Sequence, residues 1–209
     1  MEWPCRRKSI ALRKLCNTVT DAKDVFNASS LVFETAGLIP RKDEPQRKLW
    51  LNGFNDIVEL RAFALPPDIP VRLSDAAGLR AYYDAAARTQ GAQVLALEVV
   101  QMPVRAFDAG LERRMQVIRL LMRAPAKPHG FVFVGSLALP FKCGSFVLRH
   151  QATEVLERED LSAESDAAHP AHALTRIRAG LGAVRFSASA ALLNEKRLDE
   201  RPWYAFWQR

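Results

Sequence analysis

The chain has 209 residues, 49% of them hydrophobic and 25% charged, with a formal net charge of +7. That composition excludes an intrinsically disordered chain and suffices for one sizeable core. The charge is uneven: residues 1–14 hold five bases against one acid, which leaves a net +3 on residues 15–209, and so balanced a body disfavours nucleic acid as the partner.

Residues 1–48 read as a basic N-terminal tail with one edge strand in the apolar run Leu31–Pro40, followed by the charged stretch Arg41–Lys48. Behind the basic start, Ser9–Leu12 is too short for the hydrophobic region of a signal peptide. Cys5, Cys16 and Cys143 are odd in number and have no CxxC spacing. They argue against a disulfide framework or a structural zinc site, and imply a reducing, cytoplasmic setting. No apolar run is long enough to span a membrane as a helix.

Leu49–Leu51, the turn dipeptide Asn52-Gly53 and the alternating run Asp56–Leu65 predict a β-hairpin, because Asn-Gly supplies two positive φ angles at little cost. Pro66, Pro67 and Pro70 end it, since proline has no amide hydrogen for a ladder. Ser74 stands at an N-cap position with Asp75 in the first turn, and Leu79, Tyr82, Tyr83 and Ala86 repeat at helical spacing up to Gly91. Leu95–Val99 alternates as a strand that stops at Pro103. Three further runs, Gln116–Met122, Phe131–Leu139 and Ser145–Ala152, are joined by short turns and predict an antiparallel meander. The middle one is apolar on both faces, so it belongs at the centre of the sheet.

The stretch Thr153–Asp166 is acidic and reads as a solvated linker or a frayed helix. An amphipathic helix with the stripe Leu174, Ile177, Leu181 and Val184 follows, interrupted by Gly180 and Gly182. The chain ends in the aromatic segment Pro202–Trp207. The expected organisation is thus 1–48 as tail and edge strand, 49–154 as an α+β core, and 155–209 as a continuation of the same domain.

The residue pattern assigns no catalytic group, cofactor or metal. His169 and His172 stand three apart beside Asp166, yet two histidines do not complete a metal site, and a His-Pro pair leads naturally into a helix. Cys143-Gly144-Ser145 lies in a turn without a nucleophile elbow around it. Tyr82, Tyr83, Glu98, Arg119 and His150 are the polar groups that could converge on a pocket between the helices and the sheet. Trp203, Tyr204, Phe206 and Trp207 have two readings: cover for an open sheet face, or anchors for a docked partner.

The order from Gly91 to Glu154, a helix followed by four strands around the central Phe131-Val132-Phe133-Val134-Gly135-Ser136-Leu137 and a glutamate after the last strand, resembles the PsbP-like α+β sandwich over residues 49–154. The resemblance implies a mainly antiparallel sheet with helices packed on it. It also implies a non-catalytic binding, adaptor or chaperone-like role with another protein as partner. The alternative is an enzyme or small-molecule binder that uses the pocket named above.

Overall fold

The computed structural model describes residues 24–65, 67–126, 128–154 and 163–195. The acidic stretch 155–162, the first 23 residues with their basic tail, and the aromatic segment with Trp203, Tyr204, Phe206 and Trp207 lie outside the described residues.

Nine strands form one sheet: β1 (Leu31–Phe33), β2 (Ile39–Glu44), β3 (Arg47–Leu51), β4 (Ile57–Phe63), β5 (Gln93–Ala106), β6 (Glu112–Pro125), β7 (Phe131–Pro140), β8 (Ser145–Glu154) and β9 (Phe186–Ala188). Their order is β1-β9-β5-β6-β7-β8-β4-β3-β2. Every pairing is antiparallel except that of β5 with β9. The predicted α+β fold with a mainly antiparallel sheet is therefore the observed one, and the meander β5-β6-β7-β8 is its middle. The helices are α1 (Ala76–Arg88), α2 (Ala173–Ala183) and α3 (Ala190–Asn194), with a short 3-10 helix at Ala163–Ala168.

Two apolar clusters sit on opposite faces of the sheet, as the alternation of side chains along strands requires. On one face α1 lays Leu79, Tyr83 and Ala87 over Val94, Ile118, Leu120 and Ala124, with Ile69 and Leu73 alongside. On the other, α2 packs Ile177 and Leu181 directly over Gly135, where a Cβ would come within 2.4 Å of Ile177. Phe26, Leu192 and Leu193 complete that face around Phe133, Leu137 and Phe146. β7 is covered on both sides and carries the fully buried Phe133 and Leu137.

Several boundaries differ from the expectation for identifiable reasons. The helix starts after Asp75, not Ser74, because the Asp75 carboxylate accepts from Gly78 N at 2.8 Å. β5 continues through Pro103 to Ala106; β9 joins it only from Val104 onward, so the proline faces a side with no ladder partner. In the β3–β4 turn the positive φ falls on Asn55 at 60°, not on Asn52-Gly53. Asn52 instead uses its Oδ1 to accept from Phe54 N and Asp56 N, each at 2.9 Å. The charged stretch Arg41–Lys48 supplies most of the β2–β3 edge hairpin, whose outer strand is exposed at all six positions.

Candidate functional site

The five polar residues proposed for one pocket are divided between the two faces of the sheet. Tyr82 and Tyr83 belong to α1, where Tyr83 is buried and the Tyr82 hydroxyl donates to the Asp68 carbonyl. Glu98 and Arg119 form a cross-strand ion pair at 3.0 Å on the opposite face. His150 shares that face, two strands further along the sheet. A recess beside α1 lined by Tyr83, Ala87, Gln90, Met122, Val134 and Arg149 holds about 20 Å³. That is room for about one water, against roughly 300–1,000 Å³ for a small-molecule site.

His150 belongs to a buried clasp. The Asp56 carboxylate accepts from Arg176 Nε at 2.8 Å and Nη2 at 2.7 Å, and from Asn52 Nδ2 at 2.9 Å. The guanidinium of Arg176 lies under the Phe54 ring, 4.8 Å from its centroid. His150 Nε2 stands 3.4 Å from the same carboxylate. Burial pushes the Asp56 carboxyl up, but the hydrogen bonds from Arg176 and Asn52 and the charges of Arg176 and His150 outweigh it and hold it below its usual range. Burial holds the His150 imidazole below its ordinary value in spite of Asp56, and Arg176 adds to that. The other ring nitrogen faces Gly180 of α2, where a Cβ would stand 2.6 Å away. An acid–histidine pair closed off by a helix backbone offers no approach to a substrate; its evident work is to pin the β3–β4 turn to α2.

Of the histidine pair of the sequence, His172 has a structural role at the start of α2. His172 caps α2, its Nδ1 accepting from Leu174 N at 3.1 Å, and Asp166 pairs with Arg178 at 2.8 Å and accepts from Thr175. Among the described residues no group of three His, Cys, Asp or Glu side chains could hold a metal. Cys143 is disulfide-bonded, which runs against the reading of the cysteines' odd number and spacing as pointing away from disulfides.

The remaining candidate is the α1 face of the sheet beyond α1 itself, over β8, β4, β3 and β2, which no described helix covers. Register places its side chains in rows across the strands. One row is aliphatic on β2, β3 and β4, with Ile39, Leu51 and Ile57, and continues to Gln151 on β8; Ile39 is 52% and Ile57 36% exposed. The next carries Lys42, Leu49, Glu59 and Arg149, and the third Glu44, Arg47, Arg61 and Val147. Glu59 is only 4% exposed, and its Oε1 accepts from both Arg47 Nε and Arg61 Nε, the latter at 2.9 Å. Arg149 lies 3.9 Å from the other oxygen. Burial pushes the Glu59 carboxyl up, but hydrogen bonds and charge from Arg61 and Arg47 prevail and lower it. Arg149 is held below its ordinary value by burial and, against the pull of Glu59, by repulsion from Arg61 and Arg47. On these rows Lys42, Arg47, Arg61 and Arg149 stand against Glu44 and Glu59, so bases outnumber acids on this face. Sequence reasoning missed it, because Arg47, Glu59, Arg61 and Arg149 are scattered over a hundred residues and meet only through strand register.

These features define a class, a layered α+β protein on one nine-stranded, mainly antiparallel sheet, one half-face of which no described helix covers. No known family profile matches the chain, and no curated protein does. Among solved structures it is similar to the Ran-binding protein Mog1p of Saccharomyces cerevisiae, at 12% identity and a TM-score of 0.43 over 75% of this chain and 88% of that one. A mutant of Mog1 gives the same identity and TM-score over 75% and 89%. Human StAR-related lipid transfer protein 5 follows at 14% identity and a TM-score of 0.25 over 71% and 86%. The PsbP-like reading is thereby corrected. The structures named above are of Mog1 and of a lipid transfer protein, and a helix followed by a four-stranded meander is too general a pattern to separate one α+β sandwich from another. Among the described residues no helix is long and apolar enough to cross a membrane.

Proposed function

We propose that the protein is a non-catalytic binding protein whose partner, another protein, docks on the open half-face of β2, β3, β4 and β8. The observation that supports this most is the juxtaposition, on a sheet face that no described helix covers, of an aliphatic row, Ile39, Leu51 and Ile57, with an arginine cluster ordered around Glu59. The cores of interfaces are more apolar than the rest of a protein's surface, and arginine is enriched at interfaces and among their hot spots. The one-water size of the recess at α1 gives no comparable support to a small-molecule reading.

The reading is tested by affinity capture with a tagged full-length chain, comparing the wild type with Ile57→Glu and with Phe107→Glu. Phe107 is an exposed aromatic at the β5–β6 turn, at a distance from the half-face, and serves as the control. A protein retained by the wild type and by Phe107→Glu but lost with Ile57→Glu, at unchanged thermal melting, is the expected result. Equal retention by all three would remove the half-face as the docking site.

A further inference from the structure

Arg47 and Arg61 engage Glu59 through Nε alone, and their Nη groups donate to nothing among the described residues. Each guanidinium is thus fixed at its root by a buried carboxylate while its outer fork is left to point elsewhere. This is pre-organisation: the side-chain entropy of two long arginines is already spent in the unbound protein, so a ligand that fills the forks gains most of the charge-assisted hydrogen bonding. The two residues are direct cross-strand partners, so the forks lie side by side.

The aliphatic row lies four residues away along β3, at Leu51, and four along β4, at Ile57. At about 3.3 Å per residue the two rows are about 13 Å apart. An extended chain lying along these strands would match that spacing with side chains at i and i+4, both on the same side because four is an even number. Position i+2 would fall over Leu49 and Glu59, an apolar side chain and a carboxylate whose Oε1 is already shared by two arginines, so a neutral side chain suits it.

Building on the docking reading above, we infer that the half-face takes an extended protein segment carrying an acidic residue at i, a neutral one at i+2 and an aliphatic one at i+4. The carboxylate sits in the forks of Arg47 and Arg61, and the aliphatic side chain on Ile39, Leu51 and Ile57. A nucleic acid would bring phosphate to the same forks, but the neighbouring row is aliphatic and offers its bases no aromatic platform.

The test is fluorescence anisotropy on the full-length chain with labelled eleven-residue peptides. The matched peptide holds a Glu and a Leu four apart with Ser between them at i+2; the shifted peptide has the same composition with Glu and Leu three apart, on opposite sides of an extended chain. Tighter binding of the matched peptide by about tenfold or more is expected, with a comparable loss in Arg47→Lys/Arg61→Lys, which keeps the charge and removes the forks. Because that variant could disturb Glu59, the triple variant Arg47→Gln/Glu59→Gln/Arg61→Gln removes the buried charge with its partners and should lose the matched peptide equally. Equal affinity for both peptides, or competition by oligodeoxythymidine at the concentration of the matched peptide, would show that the face reads only charge and overturn the inference. So would binding that emerges only after Glu157→Gln/Glu159→Gln/Asp160→Asn, which would make the chain's own acidic stretch the occupant. If no peptide binds while Ile57→Glu still abolishes capture, the docking face stands and the inferred segment falls; if both fail, both readings fall.

Discussion

At the scale of the residue, the buried ionic groups make stability depend on pH in two windows. The Asp56 and Glu59 carboxyls are both lowered in the folded chain. Above about pH 4, where the unfolded chain has also lost these protons, their stabilisation is fully present, and it is lost as pH falls through the folded values. His150 is lowered too, but as a base: below about pH 6.5 the unfolded chain takes up a proton that the folded one refuses, so stability falls with pH from that point down. Urea denaturation across pH should therefore show a first decline that sets in below about pH 6.5 and a second below about pH 4. His150→Gln should flatten the first and spare the second. An unchanged slope in the upper window would mean that His150 titrates normally. None of this was legible beforehand: His150 read as one of five polar groups around a pocket, and nothing in the sequence links it to Asp56, 94 positions away. Cys143 is a related case, since the cytoplasmic reading rested on unpaired cysteines and the disulfide at Cys143 removes that support.

At the scale of the element, the alternating runs and the helical stripes were legible because each reports its own neighbours: β6, β7, β8, α1 and α2 all stand where the periodicity puts them. Elements held by distant partners were not. β9 has three residues and owes its strand character to β1 on one side and β5 on the other. Gly180 and Gly182 read alike in sequence, as two weak points in one helix, whereas the structure separates them. A Cβ on Gly180 would stand 2.6 Å from His150 Nδ1; one on Gly182 would have nothing within 4 Å. Alanine gains about 0.8–1.0 kcal/mol over glycine in a helix interior, while overpacking a filled site costs about 1–3 kcal/mol. Gly182→Ala should thus stabilise by up to about 1 kcal/mol, with less at the helix end. Gly180→Ala should destabilise, because its His150 neighbour is fixed by Asp56. Equal and favourable effects in urea melts would show that α2 has room to move away from the sheet.

At the scale of the whole molecule, cover is distributed unevenly over the sheet. The face under α2 is closed by Phe26, Leu192 and Leu193 as well as by the helix, so among the described residues segments at both ends of the chain do work that the sequence reading gave to Trp203, Phe206 and Trp207. The other face is covered by α1 only over its middle strands. β7 therefore lies under two layers and between two long neighbours, while β2 is a one-sided edge strand with every residue exposed. Local opening of β2 breaks only its pairing with β3 and uncovers little apolar area; opening β7 has to dismantle both cores. Amide hydrogen exchange followed in low urea should separate these cases. Amides of Phe131–Pro140 should exchange only through global unfolding, with a rate that rises steeply with denaturant. Those of Ile39–Glu44 should exchange orders of magnitude faster and with little dependence on urea, because their opening exposes little surface. Slowing confined to the β2–β3 hairpin on adding the matched peptide would mark it as the strand pair that a partner orders. Protection of β2 equal to that of β7 in the free protein would mean that the half-face is already covered, and the docking reading would then lose the open surface on which it rests.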